Sequence, residues 1–235
     1  MSSQNHENHV KLFHSFVPHK YRLLTLVGFI RSHLKDSIVV ICCSTGVAEH
    51  HSLLFNFLEL RAGFLHGKQD QAHREDAVRR FNSGEVPLLF ATALLMESTK
   101  INRPTWVIHY DIPKEVNTEI KIINNIRPEK FLIFLDESHK QYLELLKTVK
   151  LDAKDATTDN ISFDVKKIPP VQDQVFKLLD KNHRLYLCSQ DGYRELIQTY
   201  VNHDNSDIFN AQKLNILDVA INFGLKAPPK LPLSK

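Results

Sequence analysis

Three short polar segments follow apolar runs of the chain and hold residues able to bind an anion. They are Ser44-Thr45-Gly46, His66-Gly67-Lys68 and Thr92-Ala93. In open α/β sheets, ligands bind at the carboxyl ends of the strands, where backbone N–H groups and hydroxyls face a phosphate. Serine, threonine and glycine are also default turn and cap residues, so each segment taken singly is better explained as an ordinary strand-to-helix turn.

The nucleotide-binding P-loop is not found in these 235 residues. It needs Gly-x4-Gly-Lys-Ser/Thr, so that backbone amides, a lysine and Mg²⁺ surround the phosphates. Only three residues lie between Gly63 and Gly67-Lys68, and Gln69 follows. The acidic pair Asp136-Glu137 is a candidate Mg²⁺ ligand, but without a P-loop it has no nucleotide to serve. Both carboxylates better suit the start of the following helix, where the helix dipole favours negative charge.

Adjacent cysteines and histidines are the candidate zinc ligands: Cys42, Cys43, His50 and His51. Neighbouring residues on a buried strand point to opposite faces, and these spacings match no structural zinc site. We expect core cysteines and a partly exposed histidine pair, and we predict no metal site. No serine has the Gly-x-Ser-x-Gly context of a hydrolase, and we predict no catalytic residue.

Apolar patterns divide the first 150 residues into strands alternating with helices, which predicts an α/β fold with a parallel sheet. Continuous apolar runs, typical of strands buried on both faces, are 37–44, 86–92, 106–113 and 130–135. Helical patterns are 18–34, 47–60, 69–83 and 137–150. The predicted α/β domain therefore covers residues 1–150.

A polar segment without apolar period, 151–161, is predicted to be a linker. A small helical extension, 162–235, should follow, with helices near 170–182, 189–203 and 210–223. One apolar helix face is expected from Tyr193, Leu196, Ile197, Tyr200 and Val201. Phe223-Gly224 is typical of a helix end with a glycine stop.

The composition is that of a globular protein, with 43% hydrophobic and 24% charged residues. Three cysteines make no disulfide framework and indicate a reducing, intracellular compartment. The N-terminus has no apolar signal region, and no apolar run reaches membrane-spanning length, so we predict no membrane association. A formal net charge of +3, biased towards the N-terminal part, permits a nucleic-acid partner without demanding one.

Several segments together have the pattern of one family. They are His66-Gly-Lys-Gln-Asp-Gln71-Ala-His-Arg74, Val40-Ile-Cys-Cys43 with the following His50-His51, Trp106-Val-Ile-His-Tyr-Asp111, and, in the tail, 193–200, 208–214 and 219–229. In this order they resemble the second RecA-like lobe of DEAD-box RNA helicases and the helical extension of the nucleolar subgroup that acts on ribosome precursors. The resemblance covers residues 12–233.

The resemblance implies a RecA-like parallel sheet and RNA contacts at Gly67, Gln71, Arg74 and Thr92. It also implies a place in ribosome biogenesis and rRNA processing, in the nucleus and nucleolus. Pre-ribosomal RNA and, through residues 162–233, ribosome-assembly proteins are the partners it suggests. ATP and Mg²⁺ are the cofactors of the family.

The nucleotide motifs of the family are degenerate here. Motif V, Thr-Asp-Val-Ala-Ala-Arg-Gly-Leu-Asp-Ile-Pro, falls without gaps on 92–102, where Ala93 and Lys100 replace the two aspartates and Glu97 replaces the arginine. Motif VI, His-Arg-x-Gly-Arg-x-x-Arg, falls on 121–128, where Asn125 replaces an interior arginine and Arg127 lies one place off. Those arginines stabilise charge on the transferred phosphoryl group, so we predict that cofactor binding is lost.

These observations predict a degenerate helicase lobe, without the family's first lobe, that associates with RNA or pre-ribosomal particles without unwinding. Two alternatives remain. The chain is half of an ATP-dependent helicase completed by a first lobe on another polypeptide, or it is a protein-binding module that no longer binds RNA.

Overall fold

A seven-stranded parallel sheet forms the centre of the protein, whose computed structural model describes residues 10–159 and 169–230. The strand order is β3-β4-β2-β5-β6-β1-β7. The strands are β1 (Lys11–Phe16), β2 (Ile38–Cys42), β3 (Ala62–Leu65), β4 (Leu88–Thr92), β5 (Trp106–His109), β6 (Lys130–Leu135) and β7 (Lys154–Asp155). The predicted α/β fold with a parallel sheet is confirmed.

Helices connect successive strands, as parallel strands require. They are α1 (His19–Ser32), α2 (Thr45–Phe57), α3 (Gln71–Asn82), α4 (Ala93–Met96), α5 (Val116–Ile126) and α6 (Gln141–Thr148), and the C-terminal part adds α7 (Pro169–Lys181), α8 (His183–Val201) and α9 (Ile216–Asn222). Short 3₁₀ turns cover Glu137–His139, Ala156–Asp159 and Ala211–Lys213.

The central strands are buried along their whole length, which explains their uninterrupted apolar sequences. Every residue of β2 and β5 is buried, and only the first residue of β6 is partly exposed. Parallel register aligns the ends of these strands, with Cys42 opposite Thr92 and His109 opposite Ile133. The residues after each strand therefore emerge along one edge of the sheet.

Some elements escaped prediction because their local patterns are weak. β1 contains His14 and Ser15, and β3 has only four residues, one of them Gly63. The segment predicted as a linker contributes β7, which pairs with β1. The structure does not test the predicted boundaries at residues 150 and 161, and residues 160–168 lie outside the described part of the chain.

The extension shares one hydrophobic core with the sheet domain. Helix α8 packs on α2, where a methyl group added at Gly192 would lie only 3.1 Å from the Gly46 carbonyl oxygen. Helix α9 packs on α1, and the Asn222 side-chain oxygen accepts hydrogen bonds from Leu23 N (2.7 Å) and the Tyr110 hydroxyl (2.9 Å). Buried polar contacts of this kind specify how the extension docks.

Two local predictions for the extension have different outcomes. The glycine stop is confirmed, because Gly224 has φ +72° and the Leu225 N–H bonds to the Ala220 carbonyl, which closes α9. The predicted face of α8 is buried except at Val201, which is 59% exposed. At 100° per residue, Val201 stands about 80° from Tyr193 around the helix axis and so leaves the buried stripe.

The prediction of a partly exposed histidine pair is wrong. His50 and His51 are both fully buried, and burial lowers the pKa of each ring. His51 lies between the Val47 carbonyl and the Tyr110 hydroxyl at hydrogen-bonding distance, which makes it part of the core. Among the described residues there is no cluster suited to a metal ion, and none of their helices has the length and apolar character of a membrane span.

Candidate functional site

A cleft of about 650 Å³ lies at the carboxyl edge of the sheet, between the strand ends and helix α8. The sheet contributes residues that follow β2, β3 and β4, and α8 with its C-terminal turn forms the other wall. The lining residues are Cys43, Ser44, Thr45, Gly67, Lys68, Thr92, Leu94, Lys114, Glu195, Gln198, Thr199, Asn202, His203 and Asp204. The three candidate anion-binding segments of the sequence therefore meet at one cleft.

Amide groups at the start of α2 face this cleft, as an anion site requires, but protein side chains already bond to them. The Ser44 hydroxyl caps the helix by accepting from Val47 N at 3.3 Å. A Glu195 carboxylate oxygen accepts from Gly46 N at 2.7 Å. The other oxygen of Glu195 lies 3.6 Å from the Lys68 ammonium group. The Glu195 carboxylate thus places a negative charge of the protein itself in the cleft.

The four predicted RNA contacts divide into two pairs. Gly67 and Thr92 line the cleft, and no atom lies within 4 Å of the position where a Gly67 side chain would begin, so the backbone there is open to a ligand. Gln71 and Arg74 lie on α3, beside the cleft rather than in it. Gln71 is exposed and donates to Glu75 at 2.6 Å.

Arg74 has no acidic partner among the described residues. An ion pair with Asp70, four residues earlier, would be the ordinary arrangement for an arginine at this position. Asp70 instead caps α3 and bonds to the backbone and ring of His73. The Arg74 Nε is buried without a hydrogen-bond partner, while the residue as a whole is partly exposed. Its positive charge is therefore available to an external anion.

The cysteine in the cleft has no features of a nucleophile. Cys43 N donates to the buried Asp111 carboxylate at 3.1 Å, and burial together with the Asp111 charge raises the pKa of the Cys43 thiol well above its usual range. A thiol in this state is protonated at neutral pH and reacts poorly. Cys43 is therefore not a candidate nucleophile.

Four of the positions that the sequence alignment assigned to the family's nucleotide motifs contact one another in pairs. Glu97 lies 3.3 Å from the Lys121 ammonium group, and this hydrogen-bonded contact raises the pKa of Lys121. The Lys100 ammonium donates to the Asn125 side-chain oxygen at 2.9 Å. The Asn125 amide in turn donates to the Met96 and Thr99 carbonyls. These residues fasten the segment after β4 to α5.

Two further positions assigned to these motifs, Ala93 and Arg127, lie elsewhere in the fold. Ala93 begins α4 and has no polar side chain. Arg127 caps the C-terminus of α5 with φ +52°, three residues before β6 begins at Lys130. The cleft lies at the carboxyl ends of the strands. Arg127 precedes β6 and therefore lies near the amino ends of the strands, on the opposite side of the sheet from the cleft.

Asp136, the first residue of the acidic pair after β6, caps the following turn, in line with the sequence. The Asp136 carboxylate accepts from the Ser138 backbone N–H and hydroxyl, and His139 bonds back to Asp136 N. This arrangement is a capping box.

The wall of the cleft formed by α8 was missed by sequence reasoning. Its polar residues are Glu195, Gln198, Thr199, Asn202, His203 and Asp204. They lie about a hundred residues or more from the strand ends, and no local pattern connects the two. Lys68 belongs to a segment that the sequence already indicated, whereas Lys114, which follows β5, was not singled out.

Two family models match the chain. The helicase conserved C-terminal domain matches residues 20–125, and the C-terminal extension of an ATP-dependent rRNA helicase SPB4-like family matches residues 182–231. The chain is 29% identical over 217 residues to ATP-dependent RNA helicase has1 of Emericella nidulans, covering 90% of this chain and 35% of the relative. It is 29% identical over 218 residues to has1 of Schizosaccharomyces pombe, covering 91% of the chain and 37% of the relative.

Solved structures share the fold. Domain 2 of the DEAD-box helicase Mss116p, bound to an RNA duplex, superposes with a TM-score of 0.71 at 14% identity, over 93% of this chain and 88% of that one. A DEAD-box protein from Methanococcus jannaschii gives 0.57 at 18% identity, over 62% and 41%. The predicted RecA-like architecture is confirmed. The chain spans about a third of the length of the curated relatives that it matches.

Proposed function

The chain belongs to the DEAD-box RNA helicase family through its second, C-terminal RecA-like lobe and its SPB4-like extension, and from this membership we propose that these residues associate with RNA without hydrolysing ATP. The RNA is single-stranded and is bound by its backbone, independently of sequence. The surface comprises the strand-end cleft and the adjoining start of α3, with Gly67, Gln71, Arg74 and Thr92 as contacts.

A contrast between two surfaces carries this proposal. At the cleft the backbone is open at Gly67, and beside it the Arg74 guanidinium has no acidic partner in the described part of the chain, so both are available to a phosphate. At the degenerate motifs, Glu97 and Lys100 are bonded to Lys121 and Asn125. Arginine forks suit phosphate recognition, whereas an acid paired with a lysine leaves no free cation for a nucleotide.

RNA binding is tested with a fluorescent single-stranded oligouridine titrated with the whole chain at increasing salt. Arg74→Ala should weaken binding about fivefold, because a charge-assisted phosphate contact is lost, and should lower the salt slope by about 0.7. Arg79→Ala is the matched control, since Arg79 lies on the same helix but pairs with Asp76 at 2.6 Å. Equal effects of both substitutions on affinity and slope would place the binding surface elsewhere.

ATP turnover is expected to be undetectable in these 235 residues with saturating RNA and Mg²⁺. Removing one preorganised charge-stabilising donor costs roughly 10²–10³ in rate, and both interior motif VI arginines are replaced. Phosphate release is the measurement, and Arg127→Ala should not change it. RNA-stimulated release that Arg127→Ala abolishes would contradict the proposal. Release that appears only on adding a separate DEAD-box first lobe would favour the half-helicase alternative.

Pre-ribosomal RNA is the proposed target and the nucleolus the proposed location. The support is the SPB4-like extension, whose model is described as part of an rRNA helicase. We also propose that the extension docks a ribosome-assembly protein. Of the described large hydrophobic side chains that remain exposed, more than half lie on it: Tyr186, Leu187, Val201, Ile216 and Leu217.

A further inference from the structure

We propose that Glu195 is a built-in competitor of RNA phosphate in the strand-end cleft. The inference rests on the proposed RNA association and adds to it a regulating contact made by the C-terminal extension. A phosphate oxygen entering the cleft needs hydrogen-bond donors and a nearby cation. The Glu195 carboxylate already uses one of each, the Gly46 amide at 2.7 Å and the Lys68 ammonium at 3.6 Å.

The backbone packing of α8 on α2 holds this carboxylate in place. Gly192 lies one turn before Glu195, and its lack of a side chain lets α8 approach the Gly46 backbone closely. This close approach lets the Glu195 side chain on α8 reach the first turn of α2. A methyl group at Gly46 would lie 2.9 Å from the carboxylate oxygen, so a larger residue there would push the Glu195 side chain aside.

The contact is of a kind that a ligand can displace. The Glu195 side chain is 36% exposed and the Lys68 side chain 71% exposed, so neither is locked in the core. A glutamate that swings away frees one amide and one ammonium group together. A phosphate can accept from both, because both donate to anionic oxygens. RNA binding and the Glu195 contact are thus mutually exclusive at this position.

One negative charge on α8 also repels RNA from a distance, and this effect must be separated from competition at the site. Asp191 provides the control. It lies on the same helix about one turn before Glu195 and pairs with Arg194 at 3.1 Å. It is not among the residues that line the cleft. Replacing either acid removes one charge from α8, but only Glu195 bonds to Gly46.

The test compares binding of the whole wild-type chain, Glu195→Ala, Glu195→Gln and Asp191→Ala to the same oligouridine. Glu195→Ala should bind about tenfold tighter, because a charge-assisted contact no longer competes. Its salt slope should rise by about 0.7 for one added phosphate contact. Glu195→Gln should be intermediate, since an amide oxygen still accepts from Gly46 N without carrying charge.

Three outcomes are decisive. If Glu195→Ala gains affinity and slope and Asp191→Ala changes less than about twofold, as expected for a distant screened charge, competition is supported. If the wild type binds and both alanine variants behave alike, Glu195 is only a helix cap and the inference is overturned, while the proposed RNA association stands. If neither the wild type nor Glu195→Ala binds, the proposed RNA association fails, and the inference fails with it.

Discussion

At the scale of single residues, two side-chain contacts join the segment after β4 to helix α5. Glu97 lies 3.3 Å from the Lys121 ammonium group, and the Lys100 ammonium group donates to Asn125 at 2.9 Å. Exposed ion pairs contribute only about 0–1 kcal/mol to stability. These contacts therefore add little to stability, and their main effect is that Glu97 and Lys100 are already engaged by other protein groups.

His139 should make the stability of the fold depend on pH. Burial, and next the charge of Arg22, lower the pKa of His139 to about 4. An unfolded histidine has a pKa near 6.5. Between these values the unfolded chain binds a proton that the folded chain does not, so stability is full above pH 6.5 and falls as pH drops towards 4. His139 alone should cost roughly 2 kcal/mol between pH 7.5 and 5.

Urea unfolding at pH 7.5 and 5 measures this loss, with His139→Gln as the comparison. The variant should lose less stability on acidification by about that amount, because glutamine cannot take up the proton. His19, whose pKa is also lowered well below its usual value by burial, remains in both proteins. An identical loss in the wild type and the variant would show that His139 is not the responsible group.

At the scale of elements, glycines decide how closely two helices approach and how open a turn remains. At Gly192, an added methyl group would lie 2.8 Å from the Phe223 ring as well as 3.1 Å from Gly46. At Gly67, the same methyl group would meet nothing within 4 Å. The first glycine therefore serves packing, and the second leaves space in the cleft.

Gly192→Ala and Gly67→Ala should accordingly have opposite effects. Gly192→Ala should destabilise the fold by about 1–3 kcal/mol, since overpacking in the core exceeds the small gain in helix propensity. Gly67→Ala should leave stability nearly unchanged and weaken oligouridine binding. Thermal unfolding and RNA titration of both variants are the measurements. A stable Gly192→Ala protein would mean that α8 shifts easily along α2.

At the scale of the whole molecule, the extension is part of the core as well as a surface. Its buried residues pack with those of the sheet domain in a single cluster, and Asn222 bonds to α1 and to Tyr110. Covering the apolar surface of the lobe and docking a partner are therefore both possible roles. Its inner face serves the first, and its exposed apolar side chains are suited to the second.

Deleting residues 169–235 should leave an aggregating domain, because apolar surface of α1 and α2 becomes exposed to water. Solubility and dye binding to exposed apolar surface are the measurements. A soluble, folded truncation would show that the extension is not needed as a cover. Because deletion mixes the two roles, Leu187→Ser with Ile216→Ser tests docking separately. This variant should stay folded and lose co-purifying ribosome-assembly proteins, and unchanged co-purification would contradict docking.

Local sequence patterns were sufficient to predict the central strands, the helix caps and the family. Continuous β-branched runs such as 37–44 predict strands because only a sheet buried on both faces hides them. The Asp136 cap and the Gly224 stop are each decided within a few residues by backbone hydrogen bonds, so their patterns are visible without the fold.

Contacts between distant segments were decided only by the tertiary structure. The Glu195 carboxylate in the cleft joins residues 149 positions apart, and the burial of His50 and His51 depends on helices and strands that pack around them. The residues next to a position in the sequence do not determine which distant helix or strand will cover it in the fold. The sequence by itself therefore determined the sheet and the candidate strand ends. The packing of α8 on α2 decided that the Glu195 carboxylate lies in the cleft and accepts from the Gly46 amide.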